Sequence, residues 1–230
     1  MCIAFILWQC HPQYRFFLAL NRDEVISRPT LPVHWWPEND GILAGKDLSK
    51  GGTWFGCNKN GRIALVTSFR ENVVDKAGLI SRGELVTSFL KSTEAPLEYA
   101  QAVFDAGHEY SGFNLLVADL CAGSMLYVSN RPKDKPMQPQ VVMPGFHVLS
   151  NASLNSPWPK AIRGRAKFDS LMKDNLPYEV LKERVLKELL SDAVKADIAF
   201  LPETGYGVDW ELVLSSIFVH YVGKEVSIVF

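Results

Sequence analysis

Apolar residues open the chain in two short runs, 3–8 and 14–20, split by His11-Pro12-Gln13. Short apolar runs flanking a Pro-containing break read as the two strands of a hairpin. Periodicity fades over 21–37, where Pro29, Pro32 and Pro37 interrupt it. It returns at 53–57 and 62–69, around Asn58-Lys59-Asn60-Gly61. Asn-Gly favours a tight hairpin because both residues accept positive φ. From residue 81 the period changes. Ser81-Arg82-Gly83-Glu84 has capping-box spacing, with Ser81 expected to bond forward and Glu84 to reach back. Leu85, Phe89 and Leu90 then share one helical face. Pro96 suits the first turn of a second helix that stops at Gly107. Strands are expected at 113–120 and 125–129, turning at Cys121-Ala122-Gly123, and again at 147–150. Helices are expected at 160–172 and 178–190, the latter with Leu181, Val185 and Leu189 at helical spacing. The segment 209–218 is amphipathic, and 226–230 is apolar.

Strands therefore come in hairpins and helices in blocks. That pattern predicts an α+β fold with antiparallel sheet, not alternating strand–helix units. No internal repeat or low-complexity linker divides the 230 residues, so one domain over 1–230 is expected.

Composition narrows the function. Hydrophobic residues make up 47% and net charge is −1, which favours neither nucleic acid nor an acidic membrane surface as partner. No apolar run reaches the length of a membrane span. The N-terminal run lacks a preceding basic segment, so neither a signal peptide nor a transit peptide is expected. The four cysteines, Cys2, Cys10, Cys57 and Cys121, lie far apart without metal-ligand spacing, and none of the five histidines supplies it, so no metal site is expected. Few cysteines point to a reducing compartment.

Candidate chemistry begins at Cys2. If Met1 is removed, the thiol shares a residue with a free α-amine, a self-contained nucleophile and base. The alternative is a small buried apolar residue that happens to stand second. Pairing of the first two strands brings Asn21-Arg22-Asp23-Glu24 beside Cys2, where Asp23 can hold the terminal ammonium. An ordinary strand-ending turn, with Arg22 paired to a surface acid, is the competing reading. Lys50-Gly51-Gly52-Thr53-Trp54 lacks P-loop spacing, and its glycines suit a close backbone approach. Trp35, Trp36 and Trp54 either line an apolar pocket or cap a core edge. Asn151, at the end of a strand, is a candidate oxyanion donor or else part of a helix-entry turn.

Together, Met1-Cys2, Asn21-Arg22-Asp23-Glu24, Gly51-Gly52-Thr53-Trp54, Gly112-Phe113-Asn114-Leu115-Leu116, Leu149-Ser150-Asn151 and Pro157-Trp158-Pro159-Lys160 resemble the transport and Golgi organisation family, also called the NRDE family. The resemblance covers residues 1–219. It implies an αββα sandwich of N-terminal-nucleophile-hydrolase type, similar to penicillin V acylases and bile-salt hydrolases, with antiparallel sheets between helices. It further implies a role in Golgi organisation and protein secretion, and links to intracellular haem trafficking and to lipid metabolism. On this resemblance Cys2 matches the nucleophile, Asn21 and Asp23 match the amine-holding segment, and Asn151 matches a later active-site Asn. Leu20 stands where the hydrolases carry an Arg, and Ser68 where they carry an oxyanion Asn. Losing one oxyanion donor typically lowers rate by about 10²–10³. After residue 219 the chain departs from the family pattern, which points to a missing C-terminal strand and a shortened or alternatively spliced form.

Three roles follow. One is a trafficking or carrier protein, with Trp35, Trp36, Trp54 and Arg22 lining the ligand and haem or a lipid as cargo; no cofactor is then required. Another is a cysteine amidase or thioesterase using Cys2, Asp23, Asn21, Asn151 and Ser68. The third is an adaptor for secretory-pathway proteins. The expected location is the cytoplasm, with association to Golgi or mitochondria through partners.

Overall fold

The computed structural model describes residues 2–38, 41–72, 78–134, 136–220 and the backbone of 226–227. The chain forms two compact units, both discontinuous in sequence. The first comprises 1–26, 70–72 and 144–230; the second comprises 27–69 and 73–143.

The first unit is built on β1 (Cys2–Trp8), flanked by β2 (Phe16–Arg22) and β11 (Gly145–Leu149) in an antiparallel sheet. Every residue of β1 is buried, which a continuous apolar run permits and an alternating one would not. Ile3, Phe5 and Leu7 pack against α3 (Pro159–Lys173) and α4 (Tyr178–Arg184), through Ala161, Phe168, Leu171 and Leu181. A π-type turn, Val185–Leu190, continues α4 and adds Val185 and Leu189 to the same core. The predicted first hairpin and both predicted helices are present.

Gly164 lets α3 approach β1. A Cβ there would lie 2.3 Å from the Phe5 ring, so only glycine fits. A short α5 (Val208–Val213) follows. β12 (Val226–Ser227) pairs with β3 (Glu24–Val25), which follows β2 directly. The rest of the predicted apolar terminus, 228–230, lies outside the described residues, as do 221–225.

The second unit is a seven-stranded antiparallel meander. Its strands, in spatial order, are β10 (Met137–Val141), β9 (Ser124–Ser129), β8 (Phe113–Asp119), β7 (Arg62–Ser68), β6 (Phe55–Asn58), β5 (Ile42–Asp47) and β4 (Thr30–Trp35). One face is covered by α1 (Arg82–Lys91) and α2 (Pro96–Asp105). Leu85, Phe89, Tyr99 and Val103 meet Ala64, Val66, Leu115 and Val117 there. The glycine pair at 51–52 serves close approach, as its composition suggests. A Cβ on Gly52 would sit 2.6 Å from the Gly83 backbone, and the Thr53 N–H reaches the Gly83 carbonyl at 3.4 Å. The meander turns at Gly61 with φ +77° and at Gly123 with φ +68°, where left-handed backbone requires glycine.

Two details differ from expectation. The chain over 21–37, where periodicity fades, holds β3 and β4, and β5 follows at 42–47 where no strand is expected. The Ser81 side chain makes no capping bond; its backbone carbonyl accepts from the Glu84 N–H at 3.0 Å instead.

Candidate functional site

Hairpin register does what the sequence promises. Across β1 and β2, Cys2 lies opposite Arg22 and Ile3 opposite Asn21. Asp23 follows immediately, and its backbone N–H bonds the Cys2 sulfur. On the other side of β1, the Ser150 hydroxyl donates to the Cys2 carbonyl at 2.9 Å. It also reaches the Asn151 side-chain oxygen at 3.3 Å. Cys2, Asp23, Ser150 and Asn151 are all buried, so β1, β2 and the end of β11 bring them together at one end of the first unit.

The three remaining residues of the tetrapeptide Asn21–Glu24 have structural tasks. The Asn21 amide donates to the carbonyls of Leu190 at 2.8 Å and Ile217 at 3.0 Å. That ties β2 to the segments behind it and commits both amide protons. Arg22 pairs with half-buried Glu24 at 3.7 Å, as its turn-like context suggests.

Sequence reasoning missed three charged side chains. Lys160, the second residue of α3, is only 1% exposed. Arg70 is buried and donates from Nη1 to Glu211 Oε2 at 2.5 Å, and Glu211 also accepts from the Thr204 hydroxyl. The Arg70 guanidinium lies over the Trp158 ring, 4.5 Å from its centroid, and the Arg70 backbone N–H donates to the Asn151 carbonyl at 2.7 Å. The signal for Lys160 is present in the sequence as Pro157-Trp158-Pro159-Lys160. It marks a helix start, and nothing local reveals that the amine is buried.

Burial dominates the electrostatics. Desolvation raises the Cys2 thiol above its ordinary value, against the pull of the amino-terminal charge; Asp23 adds to the rise and Arg22 opposes it. Desolvation likewise pushes Asp23 up to about 6, although Lys160, the amino terminus and Arg70 all favour its charged form. Lys160 is pushed down to about 8, by desolvation first and Arg70 second, with Asp23, Cys2 and Glu211 resisting. Desolvation also lowers Arg70, opposed chiefly by Glu211. The site therefore gathers Asp23, Glu211, Lys160, Arg70 and the amino-terminal charge, five interacting groups, around a protonated thiol.

The other candidates lie in the second unit. Ser68 closes β7 opposite Phe113. Trp35 is 53% exposed beneath Lys59, 5.4 Å from its ring centroid, while Trp36 is buried and its indole N–H donates to the Ala44 carbonyl at 3.1 Å. Neighbours on a strand face opposite ways, which divides this pair between surface and core. Trp54 is buried with its ring tip over Gly45. Among the described residues no helix is long and apolar enough to cross a membrane, and no cluster of three or more His, Cys, Asp or Glu is placed to hold a metal.

Antiparallel sheets faced by helices, with a cysteine heading the central strand of one of them, define a protein of the N-terminal-nucleophile-hydrolase fold. A Caenorhabditis elegans N-acylethanolamine-hydrolyzing acid amidase orthologue has a similar structure, with TM-score 0.52 at 10% identity, covering 88% of this chain and 95% of that one. The family profile described as Transport and Golgi organisation 2 matches residues 1–227, past the limit of 219 read from motifs, and the chain belongs to that family. The human Transport and Golgi organization protein 2 homolog is 36% identical over 213 residues, which cover 88% of this chain and 75% of the relative. The Drosophila melanogaster Transport and Golgi organization protein 2 is 24% identical over 188 residues, covering 75% and 65%.

Proposed function

We propose that the chain serves Golgi organisation and protein secretion as a carrier, holding haem or an acyl lipid at the Cys2 end of the first unit. The observation that carries this reading is the buried thiol. Desolvation keeps Cys2 above its ordinary value, so the thiolate that attacks carbonyls is scarce at neutral pH. Leu20, aligned with Ala4 in the β1–β2 register, supplies no positive charge to lower it. A binding role needs no thiolate. The test is titration with haem and, separately, with a fluorescent acyl probe. A saturable Soret shift or saturable fluorescence change at micromolar ligand is expected; neither would leave the carrier reading without a cargo.

A second reading, a cysteine amidase or thioesterase, is favoured by the assembly of Cys2, Asp23 and Asn151 at one end of one unit. After Met1 removal the α-amine would take the thiol proton, and the thiolate would attack a carbonyl. Water would then cleave the acyl-enzyme. Met1 lies outside the described residues. Intact mass before and after iodoacetamide tests both requirements: Met1 retention, or a Cys2 no faster than Cys10 and Cys121, refutes this mechanism. A purely adaptor role would be indicated by Cys2→Ala and Lys160→Met chains that both fully rescue a secretion defect.

A further inference from the structure

Three N–H-bearing atoms in the first unit are buried without a hydrogen-bond partner among the described residues: Lys160 Nζ, Arg70 Nε and Arg70 Nη2. A cation left so in a protein interior carries a large desolvation penalty, which calls for a partner. Their arrangement is specific. Glu211 takes Arg70 through Nη1 and leaves Nε and Nη2 open. Those two N–H groups share the side edge of the guanidinium, the fork that matches two oxygens of a planar anion. Trp158 holds the guanidinium plane from one face, and Lys160 follows Trp158 by two residues at the start of α3. Arg70 is further fixed by its backbone bond to Asn151, whose neighbour Ser150 holds the Cys2 carbonyl.

We infer that Lys160 and the open edge of Arg70 form a carboxylate clamp beside Cys2, with two N–H groups of Arg70 and one of Lys160 donating to a monoanionic ligand. The charge balance selects a monoanion. With Cys2 as thiol, Arg70, Lys160 and the amino terminus outnumber Asp23 and Glu211 by one. Arg22 does not alter this, since Glu24 pairs with it. A phosphate dianion would leave a negative charge uncompensated in the interior. The clamp deepens the carrier reading by naming the head group that the site recognises, and it rests on that reading only for the ligand's tail.

The test compares octanoate, its neutral isostere octanamide, and acetate by calorimetry on the full chain, as wild type, Cys2→Ala and Lys160→Met. Octanoate should bind about 10–100-fold tighter than octanamide, the range expected of charge-assisted bonds. Cys2→Ala should keep that preference, and Lys160→Met should lose it. Lys160→Met removes a buried ammonium that donates no hydrogen bond among the described residues, so its thermal midpoint should stay level or rise; a purely structural lysine would lower it. Acetate binding as tightly as octanoate would identify the carboxylate of a small metabolite as the ligand, and tighter octanoate that of an acyl chain. Equal binding of octanoate and octanamide by the wild type overturns the clamp, whatever the variants do, while leaving an acyl carrier standing. Binding of neither ligand, nor of acetate, also overturns it.

Discussion

Asp23 and Lys160 bring opposite charges into the same buried end of the first unit, and each is pushed toward neutrality. For Asp23, the rise from 3.8 to about 6 means that between those values the folded chain binds more protons than the unfolded one. Stability contributed by this group therefore falls as pH climbs through that window, and the full penalty stands above about 6. Asp23→Asn removes the charge and keeps the shape. It should stabilise the chain at pH 7.5 by up to about 3 kcal/mol. The gain should shrink as pH falls through 6 and vanish near 4. Urea unfolding at pH 7.5, 6 and 4.5 reads this directly, and a gain undiminished at 4.5 would contradict it. Lys160 runs the other way. Its fall from 10.5 to about 8 makes the folded chain bind fewer protons in that window, so the penalty is full below 8 and lifts with rising pH. The advantage of Lys160→Met over wild type should accordingly narrow between pH 8 and 10 in thermal scans. Of the residues involved, Cys2, Asp23 and Asn151 were legible because hairpin register and strand ends follow from apolar runs. Lys160 and Arg70 were not, because burial of a charged side chain depends on tertiary packing that no local period encodes. Asn21 shows the converse: its place beside Cys2 was readable, but its two carbonyl partners lie 169 and 196 residues away.

At the level of elements, the contact between α3 and β1 is set by one missing methyl group. Gly164→Ala would place a carbon 2.3 Å from the Phe5 ring and 2.9 Å from Ile217 Cδ1, so helix or ring must move. Overpacking of this kind typically costs about 1–3 kcal/mol. Alanine's better helix propensity recovers at most about 1 kcal/mol. Gly164→Ala should therefore lower the unfolding midpoint, and Phe5→Leu in the same chain should restore part of the loss. Additive effects of the two substitutions would show that the close approach does not limit stability. Strands with unbroken apolar runs, such as β1, β7 and β8, were readable for the same physical reason that they are central: both faces are buried. β4 and β10 were not. Pro32 and Pro139 interrupt them, and proline is tolerated there because these are the two edges of the seven-stranded sheet, where one side of the ladder needs no donor. β5 carries Gly45 beneath the Trp54 ring, which removes a side chain from the pattern that periodicity relies on.

For the molecule as a whole, near-zero net charge and the apolar edge strand β4 act together. The sequence pI is about 6.5 and the formal net charge at pH 7 is −1, so long-range repulsion between copies is weak at neutral pH. β4 lies at one edge of its sheet and exposes Leu31, Val33 and Trp35, with Val33 half exposed. Among the described residues no further strand pairs with β4, and a sheet edge bearing apolar side chains is a template for pairing with another copy that Pro32 blunts at a single position. Light scattering should therefore find attraction between copies strongest near pH 6.5 and weaker at pH 8.5, where net charge is larger. Val33→Lys puts a charge on that edge without touching the core, since Val33 already faces outward. It should reduce the attraction at pH 6.5 and leave the unfolding free energy within about 0.5 kcal/mol of wild type, as surface substitutions usually do. Should Val33→Lys leave the scattering unchanged while Asp or Lys substitutions elsewhere on the surface lower it, net charge alone governs association and the β4 edge plays no part.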